Sequence, residues 1–148
     1  MNPILTALSQ KQKYEVYEEL GKDVLIDFDG TAAEWQYPKF GQPNKGFRDA
    51  VLKLKSMGLR TVLWTSRFDP RTTTPDEANM VATRLKEWLD VHNIPVDEID
   101  LGCLGKRLAL AYVDDRGVRF RNWEQAVKEV AEIRAEVDAI REARDNRT

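Results

Sequence analysis

Two periods alternate along the chain. Ile4, Leu5, Leu8, Val16, Tyr17 and Leu20 form an imperfect apolar stripe that predicts a helix over 3–20, with Gly21 as its stop. Val24-Leu25-Ile26 is then apolar without alternation, and predicts a strand over 24–28 of the kind buried on both faces of a parallel sheet. Helical spacing returns at Phe47, Val51, Leu54 and Met57, for a helix over 46–57 ended by Gly58. Thr61 to Thr65 is β-branched and aromatic, a second strand. Pro75 opens a helix running to about His92. Strands are expected over 96–103 and Ala109–Val113, with a short fifth over Val118–Phe120. A long helix should follow from Asn122 to about Ala143. The stretches 32–45 and 66–75 carry Pro, Gly and Thr and read as loops.

Strands alternating with helices imply an α/β fold, a Rossmann-like parallel sheet with helices on both faces. At 148 residues the chain is expected to form one domain over 1–148, with a core of about 23–120 between the end helices. Hydrophobic residues make up 42% and charged residues 32%, ordinary for a globular protein. The net charge of −2 excludes the overall basic surface usual in nucleic-acid binders. Cys103 is a lone cysteine with no disulfide partner, as expected in a reducing compartment. Residues 1–20 are too polar for a signal peptide, and no apolar run reaches membrane-span length, so a cytoplasmic protein is expected.

Chemistry gathers at strand ends, where ligands bind in parallel sheets. Asp27-Phe28-Asp29-Gly30-Thr31 closes the first strand, Thr65-Ser66 the second, and Asp114-Asp115 the fourth, with Lys106 shortly before it. Strand side chains alternate with period 2, so Asp27 and Asp29 lean to one side and repel unless a cation or proton intervenes. Such a set suits phosphoryl transfer. One carboxylate attacks phosphorus and a second moves protons. A hydroxyl and an ammonium hold the phosphate oxygens, and the acid pair completes an oxygen-rich site that fits Mg²⁺.

On these residues the chain resembles the haloacid dehalogenase superfamily, mostly Mg²⁺-dependent phosphatases. The first motif stands as Asp27-Phe28-Asp29-Gly30-Thr31, the second as Thr65, the third as Lys106 and the fourth as Asp114-Asp115. Tyr37-Pro38-Lys39-Phe40-Gly41-Gln42-Pro43, Leu63-Trp64-Thr65-Ser66-Arg67 and Tyr112-Val113-Asp114-Asp115-Arg116 make it similar to small hydrolase-like members of bacteria and bacteriophages. The resemblance implies Asp27 as nucleophile and metal ligand. It implies Asp29 as general acid/base, binding the metal through its backbone carbonyl. Thr65 and Lys106 would hold the phosphoryl group, and Asp114 the metal, supported by Asp115. Thr31–Arg60 and Ser66–Gly105 leave no room for a substrate-selecting cap, so a capless, open site is expected.

The expected activity is hydrolysis of a phosphomonoester through an aspartyl phosphate. A nucleotide or nucleic-acid end is the candidate substrate. The alternatives are a non-catalytic scaffold and a phosphoacceptor module. Ser66, Arg67 and Arg116 are candidate substrate contacts, though each arginine could equally pair with a carboxylate. Trp35, Tyr37 and Phe40 either stack on a substrate or anchor their loop, with anchoring favoured. His92 is read as a helix-end residue. Trp123, Ala126, Val130, Ile133, Val137 and Ile140 follow a 3–4 spacing that either packs within the chain or forms a homodimer seam.

Overall fold

The computed structural model describes residues 7–102, 107–119 and 121–147. The elements run α1 (Gln10–Leu20), β1 (Asp23–Ile26), α2 (Phe47–Ser56), β2 (Arg60–Trp64), α3 (Pro75–Val91), β3 (Glu98–Asp100), β4 (Ala111–Val113) and α4 (Trp123–Asp145). The four strands form one all-parallel sheet in the order β3-β2-β1-β4. This is the α/β, Rossmann-like class that the alternating pattern predicted. The chain divides into two compact units, residues 1–115 and 116–148. The first holds the sheet; in the second, α4 leaves Val127, Val130 and Ile140 exposed.

Local chemistry sets the element ends. Ser9 starts α1: its hydroxyl accepts the Gln12 N–H and the Gln12 side chain accepts the Ser9 N–H, a reciprocal cap. Residues 7–9 thus precede the helix expected over 3–20, and 3–6 lie outside the described residues. Thr74 and Glu77 make the same cap at α3, with Pro75 at the first helical position. His92 closes α3 and meets Trp88 edge to face at 4.9 Å, which supports its structural role. β3 is shorter than the strand expected over 96–103. Val118 and Arg119 are not strand, while Cys103 and Phe120 lie outside the described residues.

The connections β1-α2-β2 and β2-α3-β3 step the same way along the sheet, so right-handed crossovers put both helices on one face. The core shows this directly: Val24, Ile26 and Leu63 pack with Phe47 and Val51 of α2 and with Ala82, Leu85, Trp88 and Leu89 of α3. The other face carries Leu25 and Val62, both fully buried and paired in register, and the Trp64 and Tyr112 rings 6.0 Å apart. It also carries an ion network. Asp23, fully buried, is met by Arg107 at 2.9 Å and Arg60 at 3.3 Å, and Arg107 also reaches Glu98 at 2.7 Å and Asp100 at 3.3 Å.

No cap domain is present among the described residues. Between β1 and α2 lies a loop, and between β2 and α3 a 3₁₀ turn (Ser66–Phe68) and a loop. No helix among the described residues is long and apolar enough to cross a membrane.

Candidate functional site

The site forms where β1 and β4 run out side by side. Val24, Leu25 and Ile26 pair with Ala111, Tyr112 and Val113, and the Asp27 N–H still donates to the Val113 carbonyl at 2.9 Å. That register delivers Asp27 next to Asp114 and Asp115. One carboxylate oxygen from each of the three lies within 4.8 Å of the others.

Beyond Asp27 the chain leaves the strand. The Ala32 and Ala33 N–H groups fold back on the carbonyls of Asp27 and Phe28 at 3.1 and 3.0 Å. Gly30 sits in this turn at φ +85°, a left-handed conformation that costs other residues strain. A Cβ there would stand 2.5 Å from Asp115 Oδ2. Glycine is therefore what lets the acid pair of β4 close over the turn of β1. The Thr31 hydroxyl donates to Asp27 Oδ2 at 3.3 Å.

The turn corrects one expectation. Asp27 and Asp29 do not form a mutually repelling pair, because the period of 2 ends with the strand. Asp29 turns to Arg67, whose Nε and Nη2 donate to its two oxygens at 2.7 Å each. Its carboxylate is not part of the three-acid cluster. Its backbone carbonyl accepts no hydrogen bond among the described residues, so the expected role of that carbonyl at a metal stays chemically open.

Arg67 is corrected as well. Its side chain is only 6% exposed, its Nη1 donates to the Pro38 carbonyl at 2.9 Å, and its Nη2 also donates to the Lys39 carbonyl at 2.8 Å. The guanidinium lies 4.6 Å from the Phe40 ring centre and 4.9 Å from that of Tyr37. It is the anchor of the loop after the first motif and not a group open to substrate. Phe40 meets Phe28 at 5.4 Å, so the anchoring reading of the loop aromatics holds for Phe40 and Tyr37. Trp35 stands beside the site, its Cδ1 3.6 Å from where a Gly30 Cβ would lie.

Thr65 is buried at the end of β2, and its oxygen accepts the Arg67 N–H at 3.2 Å, capping the 3₁₀ turn. Among the described residues its hydroxyl donates no hydrogen bond. Ser66 is exposed beside it. Lys106 lies outside the described residues. Arg116 is exposed and belongs to the second unit.

Electrostatics single out Asp27. Its pKa is pushed up to about 7, first by burial, then by the charges of Asp114 and Asp115, against the lowering hydrogen bond from Thr31. Hard carboxylate oxygens clustered at the cost of such repulsion fit a divalent cation of the Mg²⁺ class, which would relieve it. The sign for stability follows. The folded chain holds a proton on Asp27 that the unfolded chain has lost above about pH 4. Without metal, stability therefore falls as pH rises from about 4 through 7. We expect the melting temperature in chelator to drop over that window, and Asp27→Asn to flatten the drop. A profile that rises there in the wild type would contradict the assignment.

No family model and no curated protein matches this sequence. Among solved structures, a conserved protein from Bacteroides thetaiotaomicron is similar with a TM-score of 0.51 at 21% identity, over 74% of this chain and 89% of that one. A Vibrio cholerae protein matches with a TM-score of 0.47 at 23% identity, over 75% of this chain and 98% of that one. The first likeness supports the fold; neither speaks to the chemistry.

Proposed function

We propose that this protein is a Mg²⁺-dependent phosphomonoester hydrolase of the haloacid dehalogenase type, acting through an aspartyl phosphate on Asp27. The observation that carries this reading is the convergence of Asp27, Asp114 and Asp115 at the carboxyl edge of a parallel sheet. Asp27, Asp114 and Asp115, with the Asp29 carbonyl, would hold the metal. Bound there, the cation would neutralise the acids and polarise the phosphoryl oxygens.

The side chains supply the rest. An Asp27 oxygen attacks phosphorus and the bond to the leaving oxygen breaks, that oxygen taking a proton from Asp29. Water then attacks the same phosphorus and gives its proton to Asp29. The bond to Asp27 breaks and inorganic phosphate leaves. The Thr65 hydroxyl and Lys106 ammonium would hold the non-bridging oxygens. The open, capless edge and the neighbouring Trp35 suit a nucleotide or nucleic-acid end as substrate, with Ser66 as a further contact. In the same reading the chain is cytoplasmic, and the exposed Val130 and Ile140 of α4 form a homodimer seam, which sedimentation velocity would reveal.

The test is phosphate release from a panel of phosphomonoesters, including nucleotides and end-phosphorylated oligonucleotides, with Mg²⁺ or with chelator. Turnover only with the metal supports the reading. No release from any ester by folded protein in Mg²⁺ sinks it. The placing of the Asp29 carboxylate on Arg67, outside the Asp27 cluster, favours one second reading, a phosphoacceptor module that takes phosphate on Asp27 and keeps it. Phosphate retained on the protein without turnover would select it.

A further inference from the structure

The geometry points to Arg67 as a positioning residue that governs the hydrolytic half of the reaction through Asp29, an inference that rests on the phosphatase reading above.

Three observations support it. Arg67 and Asp29 are 6% and 14% exposed and share two hydrogen bonds of 2.7 Å. Burying such a pair seldom adds stability over apolar residues of the same size, so the pair calls for a role besides holding the fold. Arg67 is also fixed from every side. Its N–H bonds to Thr65, its carbonyl accepts the Thr73 hydroxyl at 2.9 Å, and its guanidinium holds the Pro38 and Lys39 carbonyls between the Tyr37 and Phe40 rings. Finally, the pair joins the first motif, the second motif and the loop between them. One side chain thus sets where Asp29 stands relative to Asp27 and Thr65.

A carboxylate accepting one guanidinium bond on each oxygen keeps a second lone pair on each, where a proton can be taken up and released. The Lys39 carbonyl on Nη2 and the Pro38 carbonyl on Nη1 hold the guanidinium in place while that proton comes and goes. Asp29 thus keeps the same position in each cycle, ready to take the proton from the attacking water. Asp27 makes no hydrogen bond to Arg67, so formation of the bond between Asp27 and phosphorus does not need it.

The test separates the two halves with p-nitrophenyl phosphate, whose leaving group departs without a proton. The full chain in Mg²⁺ is mixed rapidly with it as wild type, Asp27→Asn, Asp29→Asn, Arg67→Met and Arg67→Lys. Arg67→Met and Asp29→Asn should release one equivalent of p-nitrophenolate within about threefold of the wild-type rate. They should then turn over about 10²- to 10⁴-fold more slowly, the range of general acid–base catalysis. Arg67→Lys should recover at least tenfold over Arg67→Met, because one ammonium can still hold one oxygen. Arg67→Met leaves Asp29 buried without its cation, so Asp29→Asn/Arg67→Met is made too and should match Asp29→Asn. A merely structural Arg67 would slow the first equivalent as much as later turnovers, and unchanged turnover would give it no role; either overturns the inference. Loss of both phases in the wild type would overturn the phosphatase reading itself, and this inference with it.

Discussion

Asp27→Asn should abolish Mg²⁺-dependent phosphate release, by at least about 10⁴-fold, the scale seen when the nucleophile of a catalytic set is removed. The same substitution should raise the melting temperature of the metal-free protein at pH 8. Both follow from one cluster. The pKa of Asp27 is pushed up to about 7, by burial and by the charges of Asp114 and Asp115. Above that pH all three carboxylates are charged at close range, and the fold bears their repulsion. Asparagine keeps the volume and the bond from Thr31 while removing the central charge. In the proposed mechanism it also removes the attacking oxygen, and an amide is too poor a nucleophile to replace it. Phosphate release and thermal unfolding in chelator check the two halves together. Turnover retained within tenfold would exclude Asp27 as nucleophile, and an unchanged melting temperature would exclude the repulsion. Mg²⁺ should stabilise the wild type more than the variant, since linkage rewards the state that binds.

The convergence of these acids was legible because it needs only two facts: Asp27 and Asp114-Asp115 each follow an apolar strand, and parallel strands end at the same edge. The β1–β4 register then does the rest. Asp29 was misread because side-chain alternation was carried past Ile26, where the strand stops and the chain folds back on Asp27 and Phe28. Gly30 marks that turn in the sequence, yet its second service, room for Asp115, depends on a residue 85 positions away. Arg67 could as well have faced a substrate as a carboxylate. Only the loop of Pro38 and Lys39 closing over it decides the matter. Asp23 gave no signal at all. Beside Lys22, before an apolar run, it resembles a polar residue flanking a strand, and its partner Arg107 lies 84 residues on.

That partnership yields the largest expected effect on stability. Arg107→Met should destabilise the fold by about 3 kcal/mol, the lower end of the range for stripping a buried charge of its partner. The lower end applies because Arg60 still meets Asp23 at 3.3 Å. For a chain of this size that is on the order of a 10 °C fall in melting temperature. Arg107 is what makes a charged Asp23 tolerable with no exposure: it meets that acid at 2.9 Å and reaches over to Glu98 and Asp100 on β3. The hydrogen bond from Arg107 holds the Glu98 carboxyl below its ordinary pKa. The stabilisation linked to that shift is present above about pH 4 and is lost as pH falls through the lowered value. The gap between wild type and Arg107→Met should therefore narrow below pH 4. Asp23→Asn/Arg107→Met should lose less than Arg107→Met alone, since no buried charge is then left behind. Urea unfolding of the three proteins at pH 7 and pH 3.5 measures all of this. A loss under about 1 kcal/mol at pH 7 would mean that Arg60 alone suffices for Asp23. A full loss would mean that β1 and β3, on either side of β2, are tied by Arg107, so that the sheet carrying Asp27 depends on a side chain of the segment leading to Asp114.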